Sequence, residues 1–194
     1  MKRFIETIRN IYKIEDLRIR ILNTLGFILI YRLGSFVVLP GVDPNQLANL
    51  QDQASSGLLG LLNMFSGGAF SNASIFALGI MPYISASIVV QLLGMAIPYF
   101  QKLQREGESG RRKMNQITRL LTVGIILLQA PAYIANLTSQ LPSEAIYPFV
   151  SSTSVSFFFK FSSVLVLLAG SMFVMWMGER ITDKGIGNGI SLII

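Results

Sequence analysis

The sequence predicts an all-α fold, a multi-pass transmembrane helical bundle. Hydrophobic residues make up 52% of the chain and charged residues only 13%, where a soluble domain carries about a quarter. Mean hydropathy is +0.56. The apolar residues gather in runs almost free of charge, several of them near the roughly 20 residues that cross a bilayer as a helix. Within Asn63–Gln91, NMFSGGAFSNASIFALGIMPYISASIVVQ, a short apolar run ends at Gly67-Gly68 and a longer one, Ile75–Ile97, begins soon after. The first is too short to span and the second is long enough. A half-length segment hinged on a full-length one reads as a re-entrant element, which lines or blocks something at membrane depth.

Composition also excludes several chemistries. Cys and His are both absent, so no disulfide, thiol nucleophile, histidine-ligated metal or histidine base can be built. The net charge of +6 sits in short loops between apolar runs, where it reports topology and not nucleic-acid binding. The N-terminal stretch is charged for its first 20 residues and no small-residue cleavage site comes after it, so the first apolar run reads as a retained anchor. The sequence stops at Ser191–Ile194 inside a new apolar run, and the expectation is that it belongs to a longer chain.

In order, residues 1–20 read as a basic amphipathic helix at the membrane surface, with Phe4, Ile5, Ile8, Ile11 and Tyr12 at helical spacing; a solvated basic tail is the alternative. The first span is expected over 21–39. It carries Arg32, a cation that costs about 2.5–3.5 kcal/mol at mid-membrane; Arg32 either snorkels or pairs within the bundle, or serves function directly. Pro40-Gly41 ends that span, and 43–56 is a polar loop. Gly57–Phe65 is the short apolar piece, 66–69 the break, and Asn72 or Ser74 the cap of the next helix. The second span, 75–97, contains Pro82, which is expected to kink it. Gly79, Ser85, Ala86 and Ser87 allow close packing, and Ile80 and Ile84, four apart, share a face.

The segment 98–117 reads as a charged loop turning at Gly-Glu-Ser-Gly. Spans three and four are expected at 117–137 and 155–178, with Lys160 snorkelling from the start of the latter, and a fifth begins near 190. Of the 16 Lys and Arg, Arg32 and Lys160 lie well inside spans. The others fall in 1–20, 101–119 and 179–185, and the loops 40–74 and 138–154 have none. The positive-inside rule then places the N-terminus and the 98–117 and 179–189 loops in the cytoplasm, so the re-entrant segment dips in from outside.

No catalytic constellation emerges. Ser162 and Lys160 are too close in sequence to act on one another, and Gly185-Ile186-Gly187-Asn188-Gly189 lacks both the spacing and the preceding strand of a phosphate loop. The spans offer no acid for an ion or proton route, only amides such as Gln91 and Gln129. An aliphatic conduit closed by a short segment dewets when empty and touches a passing chain without holding it. On the residues alone this stands beside other transporter-like readings, among them half of an inverted-repeat secondary transporter for a small solute.

The strings NMFSGGAFSNASIFALGIMPYISASI, EGESGRRK, MFVMWMGERIT and DKGIGNGISLII resemble, in order and spacing, the bacterial SecY family of protein-conducting channel subunits, from about residue 14 to the end. The resemblance implies the N-terminal half of an inverted-repeat channel that passes unfolded polypeptides across the cytoplasmic (inner) membrane and releases apolar segments through a lateral gate. It implies no enzyme and no cofactor. By the same likeness 57–70 is a plug (Gly57, Leu58, Leu61, Asn63, Met64, Phe65, Gly67, Gly68, Phe70), and Ile80, Ile84, Ile190 and Ile194 belong to the pore ring; core packing is the alternative for each isoleucine. Arg105, Glu106, Glu108, Arg111, Arg112 and Lys113 become a cytoplasmic contact region, or else a solvated topological anchor. Implied partners are SecE-like and SecG-like small membrane subunits, a SecA-like motor ATPase, the ribosome, signal sequences and nascent chains, and the lipid bilayer.

Overall fold

The computed structural model describes residues 14–47, 57–141, 150–151, 154–155 and 157–194, so most of the expected surface helix 1–20 lies outside the described residues. Helix α1 (Glu15–Gly34) starts with Glu15 and Asp16 in its first turn and has Arg32 in its last, both favourable against the helix dipole. It stops five residues short of the end of the expected span at Leu39. Beyond Gly34 the β-branched pair Val37-Val38 favours extended backbone. There Leu39 N–H donates to the Ala73 carbonyl (2.8 Å) and Ile75 N–H to that of Val37 (2.9 Å), around a bridge of Val38 with Ser74.

Helix α2 (Gly57–Phe65) covers the short apolar run, and residues 66–80 after it form turns, not helix. The second long helix, α3 (Met81–Ala96), therefore begins at Met81 and not at Ile75. Pro82 does not kink it. It occupies the first turn, where its missing N–H would have had no intrahelical partner. Pro98 then holds Ile97 extended (φ −110°, ψ 125°) for the steric reason that any residue before proline avoids the helical region. The chain bends by 99° into α4 (Pro98–Arg105), and Gln101 Nε2 donates across the bend to the Met95 carbonyl (2.7 Å).

The expected loop 98–117 is instead a helical hairpin. Only Glu106-Gly107 turns, and α5 (Glu108–Gln140) begins directly after it. Dense charge suggested a loop, but Glu108 and Arg112 lie one turn apart and pair at 3.0 Å, which suits a solvated helix. Gly107 has φ +68° and ψ −133°, a conformation that side chains resist, and buried Gly110 lets α5 pass close over the backbone of Leu103. The 33 residues of α5 rise about 50 Å, well beyond a hydrocarbon core of about 30 Å. Its N-terminal turns therefore project from the membrane.

A two-residue antiparallel hairpin, β1 (Val150–Ser151) with β2 (Ser154–Val155), precedes α6 (Phe157–Lys184). After the glycine turn the Asn188 side chain caps α7 (Gly189–Ile193), accepting from the Ile190 N–H at 3.1 Å. Helices α5 and α6 are long and apolar enough to cross a membrane, and α3 with α4 makes a third if the bent pair is one span. With Arg18, Arg20 and Arg32 besides its acids, α1 is not among them. The described chain is a multi-pass transmembrane helical bundle in which α5 packs on α3 and α6, and α6 also carries α1 and α7.

Two buried clusters hold it. One joins Leu39, Ala73 and Ala77 to Ile126, Ile134 and Leu137 of α5 and to Phe159 and Leu167 of α6. The other joins Tyr31, Phe76 and Ile80 to Val174, Met177 and Ile181 of α6 and Ile193 of α7. Between α5 and α6, Arg119 grips Glu179 through two hydrogen bonds, Nε to Oε1 at 3.1 Å and Nη2 to Oε2 at 2.7 Å.

A Gly107→Ala substitution meets no atom within 4 Å, so its cost is backbone strain, about 1–3 kcal/mol. Faster limited proteolysis between α4 and α5 is expected, with little change in the thermal midpoint of the remaining bundle.

Candidate gate and hinge

The end of α2 is built by backbone geometry. Gly68 N–H donates to the Asn63 carbonyl (2.9 Å) and Gly67 N–H to that of Met64 (3.1 Å). This is the paired pattern of a Schellman cap, with Gly67 as the left-handed residue (φ +59°). Side chains stitch the turn further. Asn63 Oδ1 accepts from Ser71 N–H (3.1 Å), and Ser66 Oγ accepts from Phe70 N–H (3.0 Å) while donating to the Asn63 carbonyl (3.1 Å).

Three side chains from two long helices hold this hinge, all through its carbonyls. Tyr31 Oη of α1 donates to the Ser66 carbonyl (2.9 Å), and Arg32 Nη1 to the Gly67 carbonyl (3.0 Å). Tyr133 Oη of α5 donates to the Phe70 carbonyl (3.0 Å). Carbonyls past a helix end have no intrahelical donor, so buried ones take their donors from elsewhere. Aromatic stacking fixes two of these donors. Tyr31 lies on Phe76 (5.8 Å between centroids) and Tyr133 meets Phe70 edge-on (5.0 Å). From Phe76 the rings continue through Phe173 (6.0 Å) to Trp176 (5.7 Å) on α6, where Phe27 of α1 closes against Trp176 (6.0 Å).

Of the expected plug residues, Gly57, Leu58, Leu61, Asn63, Met64 and Phe65 fall on α2, and Gly67, Gly68 and Phe70 in the turn after it. Leu61, Met64 and Phe65 are exposed, Met64 by 77%. Of the expected ring residues, Ile80, Ile84 and Ile190 come together in the second cluster, with Ile80 fully buried and Ile84 and Ile190 half-buried. Ile194 is exposed and outside it. Ile193, three residues from Ile190, lies in the cluster as well. Ile80 Cδ1, Ile190 Cγ1 and Ile193 Cδ1 converge on Gly178 of α6, where an added Cβ would lie 3.3–3.5 Å from each.

A cavity of about 330 Å³ opens between the turn, α3 and α5, bounded by Phe70, Met81, Ser85, Gln129, Tyr133 and Asn136. Its walls are apolar with a few amides and hydroxyls and no carboxylate, Lys or Arg, which suits an apolar occupant over a charged solute. At the far tip of the α4–α5 hairpin, Arg105, Glu106, Glu108, Arg111, Arg112 and Lys113 are all exposed. Arg32, whose partner the sequence leaves open, is the donor to Gly67; Lys160 is exposed at the start of α6.

A family model described as SecY matches residues 74–194, more than half the chain. The chain is 47% identical to protein translocase subunit SecY of Haemophilus influenzae, over 92% of this chain and 39% of that protein. The counterpart in Escherichia coli strain K12 is 45% identical with the same coverage. That of Streptomyces scabiei is 47% identical over 94% of this chain and 43% of the relative. The chain thus spans about two fifths of the length of these relatives. Among solved structures it resembles a protein-conducting channel, with a TM-score of 0.54, 18% identity, and coverage of 91% of this chain and 35% of that one. With that family model matched over more than half of its length, the chain belongs to the SecY family.

Proposed function

We propose that this chain supplies the N-terminal half of the channel subunit of a protein translocase in a bacterial cytoplasmic membrane. The whole subunit passes unfolded polypeptides across the membrane and releases apolar segments sideways into it. The observation that carries the reading is the hinged α2, a half-length apolar helix whose C-terminal turn is held by donors from α1 and α5 and reaches the isoleucine cluster through Ala69. A purely structural bundle has no use for such a segment. In the resting state α2 is the plug, and Ile80, Ile84, Ile190 and Ile194 contribute to an apolar ring that contacts the moving chain without binding it tightly. Helix α3 forms one wall of the lateral gate, and the apolar cavity beside it suits an entering signal segment.

Lys and Arg distribution supports a cytoplasmic N-terminus and a cytoplasmic α4–α5 hairpin. The exposed charges of that hairpin offer the docking surface for a SecA-like motor or the ribosome, while SecE-like and SecG-like subunits complete the complex within the bilayer. The work of transport comes from those partners; the channel's own contribution is gating.

Deleting residues 57–65 from the full-length channel should raise resting ion conductance in planar bilayers; conductance at the intact level would sink the plug assignment. A cysteine at position 84 should crosslink to a polypeptide stalled in transit, whereas one at position 92, two turns further along α3 and exposed on its outer face, should not. Equal yields at both positions would remove Ile84 from the pathway.

A further inference from the structure

Three side-chain donors converge on the carbonyls of Ser66, Gly67 and Phe70, and we infer that Tyr31, Arg32 and Tyr133 form a latch that sets the resting closure of the channel. They are positioning residues: they touch no substrate and act through the hinge. The inference rests on the plug reading of α2 and adds to it the groups that keep α2 in place.

The chemistry of the latch is specific. Each acceptor is a backbone carbonyl, so the latch reads the fold of the hinge and is indifferent to the side chains of the plug. The Schellman turn presents the Ser66 and Gly67 carbonyls just beyond the C-terminus of α2, the negative end of the helix dipole, where a cation is favoured. Arg32 meets that end, and no carboxylate pairs with it among the described residues. Gly67 is adapted to this neighbour, because a Cβ there would lie 3.1 Å from Arg32 Nη1. Tyr31 is buried and braced by Phe76, so its hydroxyl is pre-aimed. Swinging α2 away about the Gly67-Gly68 pair would strip the donors on α1 of their acceptors together, while the Tyr133 bond to Phe70 lies on the fixed side of the pivot. Opening is therefore opposed chiefly by Tyr31 and Arg32, with Tyr133 anchoring the axle.

The test uses the full-length channel reconstituted in planar bilayers, with resting conductance compared among the intact protein, a 57–65 deletion, Arg32→Gln, Arg32→Lys and Tyr31→Phe. A charge-assisted bond of this kind biases an equilibrium by about tenfold, so Arg32→Gln should raise the open fraction by about tenfold. Tyr31→Phe should raise it by a few-fold, the size of a neutral hydrogen bond, and Arg32→Lys should restore part of the closure. Tyr31→Phe keeps the ring on Phe76, so it decides the matter if Arg32→Gln fails to accumulate. Combining Arg32→Gln with the deletion should give no more conductance than the deletion alone, because the latch acts only through α2. A leaky deletion beside tight Arg32→Gln and Tyr31→Phe channels would overturn the latch and leave the plug standing. A tight deletion would overturn the plug reading itself. Extra leak from Arg32→Gln on the deletion background would show that Arg32 acts elsewhere, and would also overturn the latch.

Discussion

A helix that ends in a buried turn leaves carbonyls with nothing to accept from, and the rest of this structure is arranged around that constraint. Water satisfies such groups on a soluble protein; hydrocarbon does not. Helix α2 stops at Phe65, and its cap is closed partly by its own glycines and partly by side chains sent from α1 and α5. A neutral hydrogen bond contributes only about 0.5–1.5 kcal/mol net, and a bond from a charged donor about 1.5–3 kcal/mol. A hinge secured by a few such bonds is firm at rest, yet within the differential affinity of a few kcal/mol that a ligand can supply to shift an equilibrium.

The donors in turn need a rigid frame, and α6 provides it. Small residues on α6 admit close neighbours: Gly170 faces the backbone of Ile75, and Gly178 receives Ile80, Ile190 and Ile193. Aromatic rings from Trp176 through Phe173 and Phe76 reach Tyr31 without a gap. Such pairs are worth about 0.5–1.5 kcal/mol each beyond their buried area. The outward faces are different in kind. Leu22, Leu33, Met95, Leu120, Leu128 and Phe157 are each more than half exposed, a surface that would aggregate in water and is at home in lipid.

Much of this is legible in the sequence, and the failures have physical causes. Gly57–Phe65 reads from sequence with the bounds the helix has, because a left-handed cap needs Gly67 and Gly68 and nothing milder would serve. The span at 75–97 is misjudged at its start because hydropathy reports what is apolar and not what is helical. Residues 66–80 are apolar enough for a span, yet they turn until Pro82 supplies a helix start. Charge density misleads in the opposite sense at 98–117, where Glu and Arg one turn apart stabilise a helix outside the membrane. Spacing puts Ile80 with Ile84, and Ile190 with Ile194, on shared faces, but it does not say which neighbour in a short helix packs inward; Ile193 lies in the buried cluster and Ile194 is exposed. The role of Arg32 is out of its reach. The acceptor is a carbonyl 35 residues away, and a backbone acceptor leaves no mark on sequence.

Hinge and ring differ in what they need from the fold. Every donor and acceptor at the hinge lies between Tyr31 and Tyr133, and each is satisfied within the described chain. The ring candidates are graded: Ile80 is sealed against α6, Ile84 and Ile190 are half-buried, and Ile194 is open to contact. The hinge is satisfied from within these helices, whereas the half-buried Ile84 and Ile190 leave apolar surface open. On the proposed reading, closure by α2 is local to these helices, while an apolar constriction at the isoleucines is completed by whatever faces α3 and α7. A gate so divided would be loosened at the ring by an entering segment while Tyr31 and Arg32 still hold α2. That order would keep the channel sealed until a substrate has engaged it.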